Sequence, residues 1–218
     1  MKTKSQISHI LTKIARMYPD IRTELHYETP FQFLIAVILS AQTTDKQVNK
    51  ITPPLFARVR EPNDILKISL ADLEKMVSSA NFYRNKAKFI RSSGEKLACE
   101  FSSIIPNDLQ KIQTLPGVGI KTAKVVLSVL YDAPYVGVDT HVHRVMNRIG
   151  IVRTKTPEET DKVLEKKLTR EQKLIIHHPL VLFGRYHCTA RKPKCESCPI
   201  REMCDYGRRG LISEGKSI

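Results

Sequence analysis

Two residues with complementary chemistry lie near each other in sequence, in the middle of the chain. Lys121 belongs to residues 115–123 (LPGVGIKTA), and Asp139 belongs to residues 138–141 (VDTH). We expect Lys121 in the first turn of a helix, where the positive end of the helix dipole favours a neutral amine that can attack carbon. A solvated surface lysine or a simple phosphate contact is the alternative interpretation.

Asp139 precedes a segment with the apolar spacing of a helix, so its carboxylate can cap that helix. A carboxylate held by helix N–H groups stays ionised, and it can then stabilise positive charge that develops on a sugar. The capping role and the chemical role can coexist in one side chain.

The glycines of residues 115–119 predict a tight hairpin between two helices. Gly117 and Gly119 accept positive φ angles and leave room for a close neighbour. We expect the N–H groups of Val118, Gly119 and the next helical turn to face outward, where a helix N-terminus favours a phosphate. A plain connection between helices is the alternative for this segment taken alone.

Four of the five cysteines lie near the C-terminus with the spacing C-x6-C-x2-C-x5-C, at Cys188, Cys195, Cys198 and Cys204. Clustered cysteines in a reducing compartment are better metal ligands than disulfide partners. Four thiolates suit either tetrahedral zinc or an iron–sulfur cluster, and the residues alone leave both open. Cys99 lies apart in a helical pattern, and we expect it to be a small buried residue.

Basic residues surround the first of these cysteines. Arg185 precedes it, and Arg191, Lys192 and Lys194 lie between the first two cysteines. A folded loop would present these side chains to phosphates. Five histidines (His141, His143, His177, His178 and His187) lack carboxylate partners at metal-ligand spacing, so we interpret them as packing or hydrogen-bonding residues.

The overall charge favours a polyanionic partner. The 218 residues carry a formal net charge of +14, with a pI near 9.7, and nucleic acid is the commonest partner of such proteins. No apolar stretch reaches the roughly 18 to 20 residues that span a bilayer. The polar N-terminus lacks the features of a secretory signal, which predicts a cytoplasmic, nucleoid-associated protein without a membrane partner.

Periodic apolar residues, scarce glycine and prolines between segments predict an all-α protein. Thr29 and Pro30 mark the start of a helix that is apolar on nearly all sides and therefore central. The predicted helices span residues 5–17, 31–40, 44–59, 62–68, 70–79, 83–101, 108–113, 121–131, 140–149 and 157–168.

Together these segments resemble the endonuclease III branch of the helix-hairpin-helix-GPD (HhH-GPD) DNA glycosylases, over essentially the whole chain. The resemblance is carried by residues 115–123, 138–145 (VDTHVHRV), 39–45 (LSAQTTD) and the cysteine tail, in the order of the family. It implies base excision repair by a bifunctional DNA glycosylase and AP lyase that removes oxidised pyrimidines from duplex DNA. Lys121 would be the Schiff-base nucleophile, and Asp139 would assist attack and stabilise the transition state.

The resemblance also implies a [4Fe-4S] cluster on the four cysteines, with a structural role. It implies a helical lobe of residues 23–133 with the hairpin, a cluster lobe of residues 1–22 and 134–218, and an active site between them. Gln42 and Phe82 would fill the gap left by an extruded base. Phe82 departs from the family, which usually has leucine there. We expect a monomer that binds double-stranded DNA containing damaged bases or abasic sites.

Two other hypotheses use the same features. A mismatch glycosylase for adenine or thymine would share the scaffold, but such relatives usually lack a lysine at position 121, and adenine enzymes typically carry a further C-terminal domain. A non-catalytic iron–sulfur or zinc protein that binds DNA would need only the basic charge and the hairpin, and Lys121 and Asp139 would then be dispensable.

Overall fold

The computed structural model describes residues 2–19 and 23–214, which are helical and contain no strand. This confirms the all-α prediction. The helices are α1 Lys4–Arg16, α2 Pro30–Ser40, α3 Asp45–Phe56, α4 Pro62–Leu66, α5 Leu70–Met76, α6 Tyr83–Glu100, α7 Leu109–Ile112, α8 Ile120–Tyr131, α9 Thr140–Ile149, α10 Pro157–Lys167, α11 Arg170–Leu182 and α12 Asp205–Glu214. A π-helical turn spans Phe183–His187, and a 3₁₀ turn spans Arg201–Met203.

The chain forms two compact units. One comprises Thr23–Ala133, and the other combines Met1–Arg22 with Pro134–Ile218. None of the described helices is long and apolar enough to cross a membrane.

Helix α2 is the centre of the 23–133 unit. The Thr29 side chain accepts a hydrogen bond from the Gln32 N–H, and Pro30 occupies the first turn, as predicted. Residues 31–39 are all buried, because α3, α6 and α8 pack around this helix. Gln32 is the polar member of that row, and its amide donates to the carbonyls of Phe56 and Val59 at 3.2 and 2.8 Å.

The other unit is built around α1, α9 and α11. The apolar stripe of α1 (Ile7, Ile10, Leu11 and Ile14) is fully buried in a core that includes residues from α9, α10 and α11. Helix α9 also contacts α12 and the π-helical turn. It ends at Gly150, whose φ of 87° is the left-handed conformation common after helices. The segment of residues 188–204, called the cysteine loop below, is therefore joined to the core by α9.

Ten helices agree with the sequence prediction in position, with ends that differ by at most three residues. The prediction missed α11, the two short turns and α12. Helix α11 contains Pro179, and two of its buried residues are the polar Lys173 and His177, so the sequence shows no simple apolar stripe there. Cys99 was predicted to be buried and is exposed. It lies two residues after the buried Leu97, which places its side chain on the opposite face of α6.

Candidate active site and cysteine loop

Lys121 lies at the open end of the hairpin. Helix α7, the loop of residues 113–119 and α8 form this motif, and Lys121 is an exposed residue in the first turn of α8. Gly119 precedes the helix and provides no side-chain cap. Among the described residues, the N–H groups of Gly119, Ile120 and Lys121 donate to no protein acceptor. These donors and the helix dipole form a site suited to a phosphate.

The two glycines of the hairpin have different roles. Gly117 has a φ of +80°, and a Cβ atom there would meet the ring of Phe89 at about 2.9 Å. Gly119 has an ordinary φ of −79°, and a Cβ there would meet no atom within 4 Å. The expectation of positive φ at both glycines is therefore wrong for Gly119, whose small size leaves open space on its outer side.

Val118 does not offer its N–H to a ligand. That group donates to the Leu115 carbonyl at 3.1 Å, and the Val118 side chain is buried. The hydrogen bond closes the turn that places Gly119 at the start of α8. The prediction that the Val118 N–H faces a phosphate is corrected accordingly.

Asp139 is the N-cap residue of α9, as expected. Its Oδ1 accepts a hydrogen bond from the Val142 N–H at 2.8 Å, and the side chain is half-buried. This hydrogen bond engages Oδ1 of the carboxylate. The segment before it, which includes Val136 and Val138, is buried in the core, so the carboxylate is fixed in direction. Lys121 and Asp139 belong to different compact units.

Gln42 and Phe82 are both exposed, and both have left-handed backbones, with φ of 55° and 57°. Phe82 keeps 63% of its surface exposed, the largest fraction among the aromatic residues described. Gln42 follows α2, and Phe82 immediately precedes α6. The Asn81 amide joins them by donating to the Gln42 carbonyl at 2.6 Å.

The four C-terminal cysteines line one cavity, together with His187, Ile200, Tyr206 and other residues. The space is about 330 Å³, including its opening to solvent. Cys198 and Cys204 also contact the apolar core. No three His, Cys, Asp or Glu side chains in the described ranges converge as the ligands of one ion would. Four thiols around one cavity suit either a tetrahedral zinc ion or an iron–sulfur cluster.

Protein groups alone do not account for the polar side chains that are buried in this cavity. Burial raises the pKa of Cys198 to about 11, and it also raises the pKa values of Cys195 and Cys204. Burial lowers the pKa of His187, whose buried Nε2 has no hydrogen-bond partner among the described residues. Bound iron would supply the positive charge that converts such thiols to thiolates. The donor set therefore fits an iron–sulfur cluster.

Two arginines of α9 hold the cysteine loop. Arg148 donates to the Thr189 and Ala190 carbonyls at 2.7 and 2.8 Å, approaches the Cys188 Sγ at 3.5 Å, and lies over the Tyr206 ring. One turn earlier, Arg144 donates to the carbonyls of Gly184 and Cys188. Neither arginine was predicted from the sequence, although the four-residue spacing of Arg144 and Arg148 places them on one face of α9.

The basic residues around the cysteines have different exposures. Arg191, Lys192 and Lys194 are exposed on the loop between the first two cysteines, while Arg185 is half-buried in the π-helical turn. The histidines make internal contacts, as interpreted from the sequence. His177 accepts from the Gly137 N–H, and His143 forms a hydrogen bond with Thr160 at 2.6 Å.

Comparison with known proteins identifies the family. Residues 35–170 match the HhH-GPD superfamily of base excision DNA repair proteins. The chain belongs to this superfamily. Residues 188–204 of this HhH-GPD protein also match the iron–sulfur binding domain of endonuclease III. That match confirms the predicted iron–sulfur cofactor, a [4Fe-4S] cluster.

The relatives of this HhH-GPD protein cover nearly its whole length. It is 41% identical to endonuclease III of Bacillus subtilis, with 97% of this chain and 99% of the relative aligned. It is 38% identical to endonuclease III of Escherichia coli, with 93% and 96% aligned. A trapped covalent endonuclease III–DNA intermediate has a TM-score of 0.89 and 43% identity, covering 97% of this chain and 100% of that one.

A thermostable thymine-DNA glycosylase shares the fold, with a TM-score of 0.84 and 23% identity over 94% of this chain and 98% of that one. The matches to endonuclease III and to its trapped DNA intermediate confirm the predicted function and enzyme class. This HhH-GPD protein is a DNA-binding glycosylase and AP lyase of base excision repair, acting on oxidised pyrimidines.

Proposed function

We propose that Lys121 is the nucleophile of this glycosylase and AP lyase and that Asp139 is its assisting carboxylate. The observation that carries the proposal is the position of Lys121, exposed in the first turn of α8 beside N–H groups that lack protein acceptors. A phosphate bound there would bring the sugar of a neighbouring nucleotide near the Lys121 amine.

The chemistry proceeds through a covalent imine. The Lys121 nitrogen attacks C1′ of the damaged nucleotide, the C1′–N bond to the base breaks, and the base leaves with the electron pair and gains a proton. The amine loses its proton and the sugar ring opens, which gives a Schiff base. Removal of a C2′ proton then breaks the C3′–O bond, and the 3′-phosphate leaves with that electron pair. Water hydrolyses the imine and restores Lys121.

Asp139 acts through its charge. Its carboxylate stabilises the positive charge that develops on the sugar as the base leaves, and it can accept a proton from the attacking amine. The Val142 N–H keeps this carboxylate oriented.

Other residues bind the substrate, which is duplex DNA with a damaged base or an abasic site. The N–H groups at Gly119 and the first turn of α8 bind the backbone, with Gly117 and Val118 shaping the turn. Gln42 and Phe82 enter the duplex where the base leaves. Arg185, Arg191, Lys192 and Lys194 contact phosphates from the cysteine loop. We infer a monomeric enzyme that works on the nucleoid in the cytoplasm.

Cys188, Cys195, Cys198 and Cys204 would hold the [4Fe-4S] cluster. When bound, the cluster would hold residues 188–204 in place, and the proposed reaction takes no step through it. Its structural value lies in joining chain segments that otherwise bury few apolar residues.

Borohydride trapping tests the nucleophile. Wild-type enzyme, Lys121→Gln and the control Lys111→Gln are incubated with duplex DNA that carries thymine glycol, and the imine is reduced. We expect a covalent adduct with wild type and control and none with Lys121→Gln, while all three bind DNA. An adduct with Lys121→Gln would show that another amine is the nucleophile.

A further inference from the structure

The inference concerns the backbone that carries Gln42 and Phe82, and it rests on their proposed role in filling the duplex. Both residues adopt left-handed conformations, which are unfavourable for any residue other than glycine. Such a conformation persists only when neighbouring groups hold it. Two side chains near them, those of Lys86 and Asn81, do so.

The Lys86 side chain forms hydrogen bonds with the segment around Gln42. Its Nζ donates to the carbonyls of Leu39 and Ala41 at 2.7 and 2.5 Å, and to the Thr43 hydroxyl at 3.0 Å. These acceptors lie on both sides of Gln42 in sequence. The main-chain N–H of Lys86 donates in turn to the Phe82 carbonyl at 3.1 Å. One residue therefore contacts both exposed segments.

Asn81 makes the second connection. It is exposed, directly precedes Phe82, and its amide nitrogen donates to the Gln42 carbonyl at 2.6 Å. Rotation of either left-handed residue would displace a carbonyl or an amide that takes part in this network. The two exposed side chains are thus coupled through their backbones.

Burial of the Lys86 side chain at this position is unfavourable by itself. Only 4% of it is exposed, burial lowers its pKa, and no carboxylate in the described residues forms an ion pair with it. A buried charge is tolerated only where hydrogen bonds satisfy it. The Leu39 and Ala41 carbonyls lie at the negative end of the α2 dipole, which adds a favourable interaction.

We infer that Lys86 and Asn81 are positioning residues that hold Gln42 and Phe82 as one preformed two-residue wedge for base extrusion. A preformed wedge lowers the ordering cost when it enters the duplex. The alternative is that Lys86 only caps the C-terminus of α2. A cap would affect every activity of the enzyme equally, whereas a wedge support affects the step in which a paired base leaves the stack.

The test compares two substrates. Release of thymine glycol from duplex DNA requires a base to be extruded, whereas cleavage at a duplex abasic site does not. Lys86→Met keeps the aliphatic stem and removes the donors, and Asn81→Ala removes an exposed amide that the core does not need. Lys88→Met and Asn85→Ala, both exposed on α6, are the matched controls.

We expect Lys86→Met to slow thymine glycol release about tenfold, as the loss of charged hydrogen bonds implies, and abasic-site cleavage less than about threefold. Asn81→Ala should show the same imbalance to a smaller extent, and the controls should match wild type. Fluorescence of 2-aminopurine beside the lesion should report less base extrusion. In a Gln42→Ala/Phe82→Ala background, Lys86→Met should add no further imbalance.

Equal slowing on both substrates, or none, for both variants would overturn the inference. If Lys86→Met does not fold, as judged by cluster absorbance and thermal unfolding, Asn81→Ala decides the question alone. If Gln42→Ala and Phe82→Ala leave thymine glycol release unchanged, the proposed wedge role itself is wrong. If those two slow release and Lys86→Met and Asn81→Ala do not, only the positioning inference is wrong.

Discussion

A Cβ atom added at Gly117 would lie 2.8 Å from the Cβ of Phe89 on α6. The hairpin therefore packs against α6 at a position where only glycine fits. Gly119, two residues later, meets nothing within 4 Å. The first glycine serves the fold, and the second leaves space for a ligand.

Alanine substitutions at these glycines should affect different properties of the protein. Gly117→Ala combines positive φ with a close contact, and we expect it to lower the free energy of unfolding by about 2 kcal/mol. Gly119→Ala should change stability by less than about 0.5 kcal/mol and weaken binding to duplex DNA. Thermal unfolding and DNA titration measure the two effects. Unchanged DNA affinity in Gly119→Ala would argue against phosphate approach at this residue.

Two substitutions at Asp139 separate its cap from its charge. Asparagine caps helices as well as aspartate does, so Asp139→Asn should fold like wild type but lower kcat about 100-fold or more. Asp139→Ala should show the same loss and also a stability lower by about 1 kcal/mol. Single-turnover glycosylase rates and unfolding curves give both quantities. Near-normal rates in Asp139→Asn would remove Asp139 from the chemistry.

Phe82 should be a site where stability and function conflict. Phe82→Ala and Phe82→Gly both remove the exposed ring, and we expect both to slow thymine glycol release. Because glycine accepts a φ of 57° without strain, Phe82→Gly should be more stable than Phe82→Ala by about 1 kcal/mol. Chemical denaturation of the two variants measures the difference. Equal stabilities would mean that the chain relaxes at this position.

Arg148 should control the lifetime of the cluster. Arg148→Lys keeps the charge but loses the planar group that donates to Thr189 and Ala190 and lies over Tyr206. We expect faster loss of visible cluster absorbance under a chelator, with Arg170→Lys, an exposed substitution in α11, behaving like wild type. An unchanged rate in Arg148→Lys would show that the loop holds without this arginine.

Asp64 predicts a pH dependence of stability in the 23–133 unit. A hydrogen bond from Lys67, followed by the N–H groups of Glu61 and Arg60, lowers the Asp64 pKa from 3.8 to about 2. The lower folded pKa means that this stability is present above the unfolded value and is lost as pH falls toward 2.

Asp64→Asn should therefore be less stable than wild type by about 1 kcal/mol at pH 7, a modest figure because the carboxylate is partly exposed. The difference should stay constant down to about pH 5 and narrow below pH 4. Parallel melting curves of the two proteins across this range make the comparison, since cluster loss in acid affects both. A difference that grows in acid would contradict the assignment.

The sequence by itself determined the features that depend on near neighbours. Threonine and proline fixed the start of α2, the apolar spacing of Ile7 to Ile14 fixed the buried face of α1, and Asp139 capped α9 as expected. Cysteine spacing located the metal-binding loop. These signals succeed because caps and helical periods act within one or two turns of chain.

Only the tertiary structure decided what depends on distant contacts. Lys86 looks like any surface lysine in sequence, yet its acceptors lie more than forty residues away, around Gln42. Arg148 meets carbonyls about forty residues downstream, and Gly117 is constrained by Phe89 on another helix. Burial is set by whatever packs against a residue from elsewhere in the chain, so a local pattern cannot reveal a buried lysine or an exposed Cys99.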